Sequence, residues 1–185
     1  MRIVGGALRG RALSGPRSQA IRPTSERLRE SVFDILAHRF GDPVSGAKVI
    51  DLFAGAGALG LEALSRGAAL ALFVDDGAEA RALLRANIEA LGLGGVTRIF
   101  RRDATKLGNA PPGEQFSLAF LDPPYGKELA TPALAALIDG GWLAPGAVVV
   151  IEESAKARID LPPCLLREDE RAYGDTQFVF ARYVS

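Results

Sequence analysis

Lys48-Val49-Ile50-Asp51-Leu52-Phe53-Ala54-Gly55-Ala56-Gly57-Ala58-Leu59-Gly60 runs from an apolar stretch into a glycine-rich turn and on into a helical pattern. Gly55, Gly57 and Gly60 keep the G-x-G-x-x-G spacing expected where a strand hands over to a helix. In such a turn two glycines let the backbone approach a ligand, and the third lets the helix lie against the sheet. The spacing alone suits a dinucleotide equally well.

The segments on either side of this turn set the fold class. Residues 48–53 read as a strand, 58–66 as a helix, 70–75 as a second strand and 78–91 as a second helix that Gly92 and Gly94 stop. A third strand is expected over 96–101, a fourth over 117–122, a helix over 128–138 and a fifth strand over 147–152. These strands are near-continuous apolar runs, as in a parallel sheet covered on both faces. The pattern is that of an α/β protein. Residues 165–171 and 176–183, around Tyr173-Gly174-Asp175, would close the chain as an antiparallel pair.

Upstream, Ile3-Val4 and Arg11-Ala12-Leu13 flank a glycine-rich segment and suggest a small hairpin. Residues 14–23 read as loop. A helix then begins at Thr24 or Ser25, either of which can cap it, with Glu26 in its first turn. Leu28, Val32, Ile35 and Leu36 mark its expected buried face, and Gly41-Asp42-Pro43 ends it. The expected division is a basic arm over 1–23 and a catalytic domain over 24–185.

A second turn carries chemistry. Asp122-Pro123-Pro124-Tyr125 comes directly after the apolar run Phe116-Ser117-Leu118-Ala119-Phe120-Leu121. Prolines lack an N–H and have fixed φ, so nearby carbonyls can point outward as acceptors. A carboxylate and an aromatic face stand beside them. An acceptor pair with a stacking plate is what a planar group bearing an exocyclic NH2 needs.

At 185 residues the chain is one domain with room for a core, and its 48% hydrophobic content and mean hydropathy of +0.14 are ordinary for an α/β protein. No apolar run approaches the ~18 residues that span a bilayer, and Met1 to Gly6 lack the apolar core of a signal peptide. A cytoplasmic location is expected. Cys164 is the one cysteine and His38 the one histidine, which excludes an internal disulfide and a closed zinc site. Chemistry needing a cysteine nucleophile or a histidine base is disfavoured.

Net charge is zero, yet residues 1–29 hold seven arginines against Glu26, a local charge of +6 that the remainder balances at −6. A basic arm on a neutral-to-acidic body points to a polyanionic partner.

Three acids stand at the ends of successive strands. Asp75 ends the second strand, where a carboxylate can accept from ribose hydroxyls. Asp51 precedes the glycine turn, where it would repel a pyrophosphate and suit a cationic amino-acid end. Asp103, after the third strand, could accept from an adenine amino group. Such a pocket describes S-adenosylmethionine better than NAD.

Asp51-x-Phe53-x-Gly55-x-Gly57 followed by Asp122-Pro123-Pro124-Tyr125 resembles the class I S-adenosylmethionine-dependent amino methyltransferases. Gly5-Gly6-x-x-Arg9-Gly10, Arg22-Pro23-Thr24-x-x-Arg27-x-Arg29-Glu30 and Tyr173-Gly174-Asp175-Thr176 narrow the resemblance to the RsmD family, over nearly the whole chain. That family methylates N2 of a guanine in bacterial small-subunit (16S) ribosomal RNA. The resemblance implies a Rossmann-like sheet of seven strands in the order 3-2-1-4-5-7-6, the last strand reversed, with an RNA-facing N-terminal extension. It implies cofactor contacts at Asp51, Phe53, Gly55, Gly57, Asp75, Asp103 and Ala104, and the target base at Asp122, Pro123, Pro124 and Tyr125. RNA contacts are expected from Arg9, Arg11, Arg22, Arg27 and Arg29, with no metal, and a monomer acting on 16S RNA or the small ribosomal subunit. One departure is that the ribose-binding acid, more often Glu, is here Asp75.

Other readings stay open from the residues themselves. The acceptor turn fits DNA adenine N6 or a protein glutamine amide as well. A nicotinamide dehydrogenase is disfavoured by Asp51, and a non-catalytic RNA-binding module by two intact turns. Pyrimidine C5 methylation needs a cysteine nucleophile and is excluded.

Overall fold

A computed structural model describes residues 1–16 and 25–185. The expected loop over 14–23, the boundary at 23/24, Thr24 and Arg22 therefore lie wholly or largely outside the described residues. Among the described residues four α-helices, α1 (Glu26–Arg39), α2 (Ala58–Ser65), α3 (Ala78–Leu91) and α4 (Ala130–Asp139), flank one sheet. Its strands are β1 (Lys48–Leu52), β2 (Leu70–Val74), β3 (Thr97–Phe100), β4 (Phe116–Leu121), β5 (Leu143–Ser154), β6 (Leu165–Tyr173) and β7 (Thr176–Tyr183). Their order is β3-β2-β1-β4-β5-β7-β6, as the resemblance implied. Pairing is parallel from β3 across to β5, and β7 runs antiparallel to both β5 and β6.

Alternate residues of the central strands feed two cores. Val49, Phe73, Phe120, Val150 and Phe180 pack on one face with α1, α2 and α3. Ile50, Leu52, Leu72, Leu121 and Val149 pack on the other with α4 and the buried Trp142. Both faces are covered, so the strands have no polar side, which explains their unbroken apolar runs.

Strand five is longer than its apolar run. Phe116 pairs with Leu143 but Leu118 with Val148, so several residues of β5 loop out against β4. Ala144-Pro145-Gly146 reads as a turn, yet a bulge accommodates it without ending the strand. At the sheet's edge, β6 carries Arg167, Glu168, Asp169, Glu170 and Arg171, a charged run that discourages pairing with another chain.

The N-terminal segment is built onto this body. Arg2 and Ala12 form an antiparallel bridge, and Ile3 and Leu13 are buried in the core that holds α1 to α3. The α1 face differs from expectation at two positions, Arg29 and Phe33 standing where Leu28 and Ile35 were expected. Ser25 caps the helix as expected, its hydroxyl accepting from the Leu28 N–H, but the buried residues are Arg29, Val32, Phe33 and Leu36. Among the described residues no helix is long and apolar enough to cross a membrane.

Candidate active site

The sheet reverses its winding between β1 and β4, and a crevice opens there at the strands' carboxyl ends. Two turns meet in it. After β1, Phe53, Gly55 and Gly57 take φ of +58°, +57° and +87°, so the chain doubles back within five residues. A phenylalanine in that left-handed region is strained by about 1–3 kcal/mol and persists only where its surroundings hold it. The carboxylate of Asp75 supplies part of that hold, accepting from the Gly55 N–H at 2.9 Å and the Gly77 N–H at 2.8 Å. Asn87, buried on α3, donates to the Ala56 carbonyl at 2.9 Å and also pairs with the backbone of Ser14.

Asp51 lies at the base of this turn, 1% exposed, and accepts from the Gly60 N–H at 3.0 Å. Burial pushes its carboxyl up to about 8, the single hydrogen bond opposing and neighbouring Asp75 reinforcing the shift. A cation brought beside a buried acid held this far above its ordinary range favours the anion.

The second turn leaves the end of β4. The Asp122 N–H donates to the Leu52 carbonyl at 3.4 Å, stitching the acceptor turn to the end of β1. Pro123 is buried, Pro124 exposed, Asp122 and Tyr125 half-buried. The Tyr125 hydroxyl lies 2.7 Å from the Thr176 hydroxyl and donates to Glu152 at 3.4 Å.

Both turns line one cavity of about 720 Å³, which Asp51, Phe53, Gly55, Asp75, Asp122, Pro123, Pro124 and Tyr125 share. That volume is in the range of sites for nucleoside-sized ligands. Three expected cofactor residues stand elsewhere. Gly57 faces the packing side, where a Cβ would come within 2.4 Å of the Leu84 Cδ1, so it seats α2 rather than a ligand. Gly60 behaves likewise against Phe73. Asp103 is exposed and turns its carboxylate onto the Thr105 hydroxyl and N–H, at 2.7 and 2.8 Å, which hold it below the usual carboxylate range. Ala104 is buried beneath it. Neither lines the cavity.

The arginines divide. Arg9, Arg11 and Arg27 are exposed, and Arg9 and Arg27 line a separate polar hollow with Arg2, Glu26 and Glu30. Arg11 donates to the Ala90 carbonyl at 2.6 Å. Arg29, expected to meet RNA, is a correction: it is fully buried, 3.7 Å from Glu62, and donates to the Arg2 carbonyl. Its guanidinium fastens the N-terminal segment between α1 and α2, and it cannot reach a polyanion.

The family model described as conserved hypothetical protein 95 matches residues 1–182. Ribosomal RNA small subunit methyltransferase D of Escherichia coli is 38% identical over 164 residues, 88% of this chain and 79% of that protein. This chain belongs to the RsmD family. Among solved structures, the yhhF protein of Escherichia coli matches at a TM-score of 0.84 and 31% identity, covering 100% of this chain and 98% of that one. A hypothetical protein from Thermus thermophilus matches at 0.77 and 33%, covering 97% of this chain and 98% of that one.

In this RsmD-family chain several cavity residues escaped the reading of the sequence, among them the charged Asp76, Glu79, Lys127 and Glu152. Glu152 lies near the carboxyl end of β5, in the wall of the cavity, 5% exposed. Its signal was an acid closing the run Val148-Val149-Val150-Ile151. Lys127 also lines the cavity, with only its place after Tyr125 to announce it.

Proposed function

We propose that this chain transfers a methyl group from S-adenosylmethionine to the exocyclic N2 of a guanine in small-subunit ribosomal RNA. The observation that carries the reading is that the glycine turn after β1 and the Asp-Pro-Pro-Tyr turn after β4 line one cavity. The family relation supports the same activity. S-adenosylmethionine brings an electrophilic methyl on a positively charged sulfur. Asp51, buried with its pKa near 8, suits the cationic amino-acid end. Asp75 has lone pairs left for ribose hydroxyls beside the two backbone donors it already holds. Phe53 and Gly55 supply apolar and bare-backbone wall.

A guanine N2 lone pair is delocalised and weakly nucleophilic. Two N–H groups donating to the Asp122 carboxylate and the Pro123 carbonyl let the nitrogen pyramidalise and aim that pair. The N–C bond forms as the S–C bond breaks, sulfur keeps the electron pair, and the amine proton leaves to Asp122 or to water. Acceptors already in place stabilise the charge growing on nitrogen. Alignment of the partners contributes ~7–11 kcal/mol in well-oriented cases. Tyr125 would stack on the base once it leaves its RNA surroundings.

In this reading the arm over 1–23, with exposed Arg9 and Arg11 and with Arg22 outside the described residues, faces RNA together with Arg27 of the domain over 24–185. The small ribosomal subunit is its partner, the chain works as a monomer, and the cytoplasm is its place. The test is incubation with labelled S-adenosylmethionine and undermethylated small subunits, then nucleoside analysis. Label in N2-methylguanosine is the expected result. Label in N6-methyladenine or in protein overturns the choice of substrate.

A further inference from the structure

Tyr173-Gly174-Asp175-Thr176 is the one sequence block to which neither the cofactor reading nor the base reading gives work. It forms the turn between β6 and β7, with Gly174 at φ +58°. The Asp175 carbonyl accepts from the Ala155 N–H at 2.8 Å, and Thr176 pairs with Ser154 at the end of β5. Thr176 is buried, and its hydroxyl points back across the sheet's end to the Tyr125 hydroxyl, 2.7 Å away.

We propose that Thr176, together with Glu152, is a positioning residue that fixes the ring plane of Tyr125 against the target base. The proposal rests on the methyl-transfer reading of the same site. The Tyr125 hydroxyl donates to Glu152, so the ordering Thr176 O–H to Tyr125 oxygen, and Tyr125 O–H to Glu152, gives each hydroxyl hydrogen an acceptor. The residues after Tyr125 could not hold the ring by themselves, since Gly126, Lys127 and Glu128 are all exposed. Pinning the oxygen, the side-chain atom farthest from the backbone, transfers control of the plane from this loop to β5 and β7. Those strands pair over seven registered positions and do not shift readily. A stacking plate set in advance favours the aligned encounter, which is a gain in turnover rather than in RNA affinity.

Single-turnover kinetics of Tyr125→Phe, Thr176→Val, Thr176→Ser and the double variant Tyr125→Phe/Thr176→Val test this, normalised to sites titrated with S-adenosylhomocysteine. Loss of one such hydrogen bond corresponds to roughly a tenfold fall in the methylation rate. Each of the first two variants should show that fall with KM for RNA nearly unchanged. The double variant should be no slower than Tyr125→Phe alone, because removing the Tyr125 hydroxyl already removes its bond to Thr176 along with that to Glu152. Thr176→Ser, which keeps the hydroxyl, should regain most of the rate. Independently of activity, the Tyr125 line in fluorine NMR of fluorotyrosine-labelled protein, assigned by its loss in Tyr125→Phe, should narrow in Thr176→Val and not in Thr176→Ser. Multiplying losses in the double variant, a serine variant as slow as the valine one, or an unchanged fluorine line each overturn the proposal. Wild-type protein that labels no RNA would instead overturn the methyl-transfer reading, and this inference with it.

Discussion

Asp51 and Asp122 are both strand-end acids at the cavity, and their environments set them different tasks. The buried Asp51 carboxyl sits near 8, so in the ligand-free fold it holds its proton where the unfolded chain, with a carboxyl at 3.8, has lost it. The sign comes from linkage: this group favours folding below pH 3.8, and its contribution declines as pH rises until about 8, then stays level. A cationic ligand prefers the anion. Its affinity should therefore strengthen by up to about two orders of magnitude between pH 6 and 8.5 in calorimetry, and Asp51→Asn should abolish that rise. A rise that survives in the asparagine variant would remove Asp51 from the cation site. In the proposed reaction Asp122 serves the other partner. Asp122→Ala should lower turnover by about two to three orders of magnitude, the scale of losing one acceptor aimed at developing charge. Affinity for the methyl donor should stay near wild type, and equal loss of both would place Asp122 in donor binding instead.

At the scale of elements, α1 carries two arginines two positions apart that do unlike work. Arg29 is paired with Glu62 between α1 and α2, while Arg27 faces solvent. Arg29→Ala leaves Glu62 buried opposite one fewer cation and should cost about 3–5 kcal/mol in urea unfolding. Arg27→Ala should cost under about 0.5 kcal/mol. The helix itself was legible, cap included, but two of its four face residues were misread. Leu28 and Ile35 are apolar and only half-buried, whereas Arg29 shares the inner face with Val32, Phe33 and Leu36. A charge at a core position escapes any rule that counts apolar spacing, although Glu62, alone in the apolar run of α2, was a hint of its partner. The glycine turn shows a similar limit. Spacing located it between β1 and α2 but did not tell which glycines face a ligand, because that depends on what packs behind. Leu84 and Phe73 lie behind Gly57 and Gly60. Gly57→Ala should thus act on stability, by about 2–4 kcal/mol from a left-handed φ and an overpacked neighbour, with donor affinity falling only through the loss of folded protein.

For the whole molecule the governing quantity is charge distribution. The formal net charge is zero, so long-range attraction to RNA has to come from the asymmetry of the chain rather than from its sum. Arg27→Glu should weaken RNA binding and lower the slope of log affinity against log salt by about one, and Arg9→Glu should do the same. A slope unchanged in both would leave the basic face without a part in binding. The topology carries a consequence of another kind. β7, late in the chain, is threaded between β5 and β6, so synthesis delivers β5 long before the partner that covers its open side. A ribosome that stalls before residue 176 releases a product whose Val148-Val149-Val150-Ile151 edge lies bare, a template for intermolecular association. Quality control in the cell would meet such fragments as aggregating or proteolysed material, since the strand that covers β5 is the last one made.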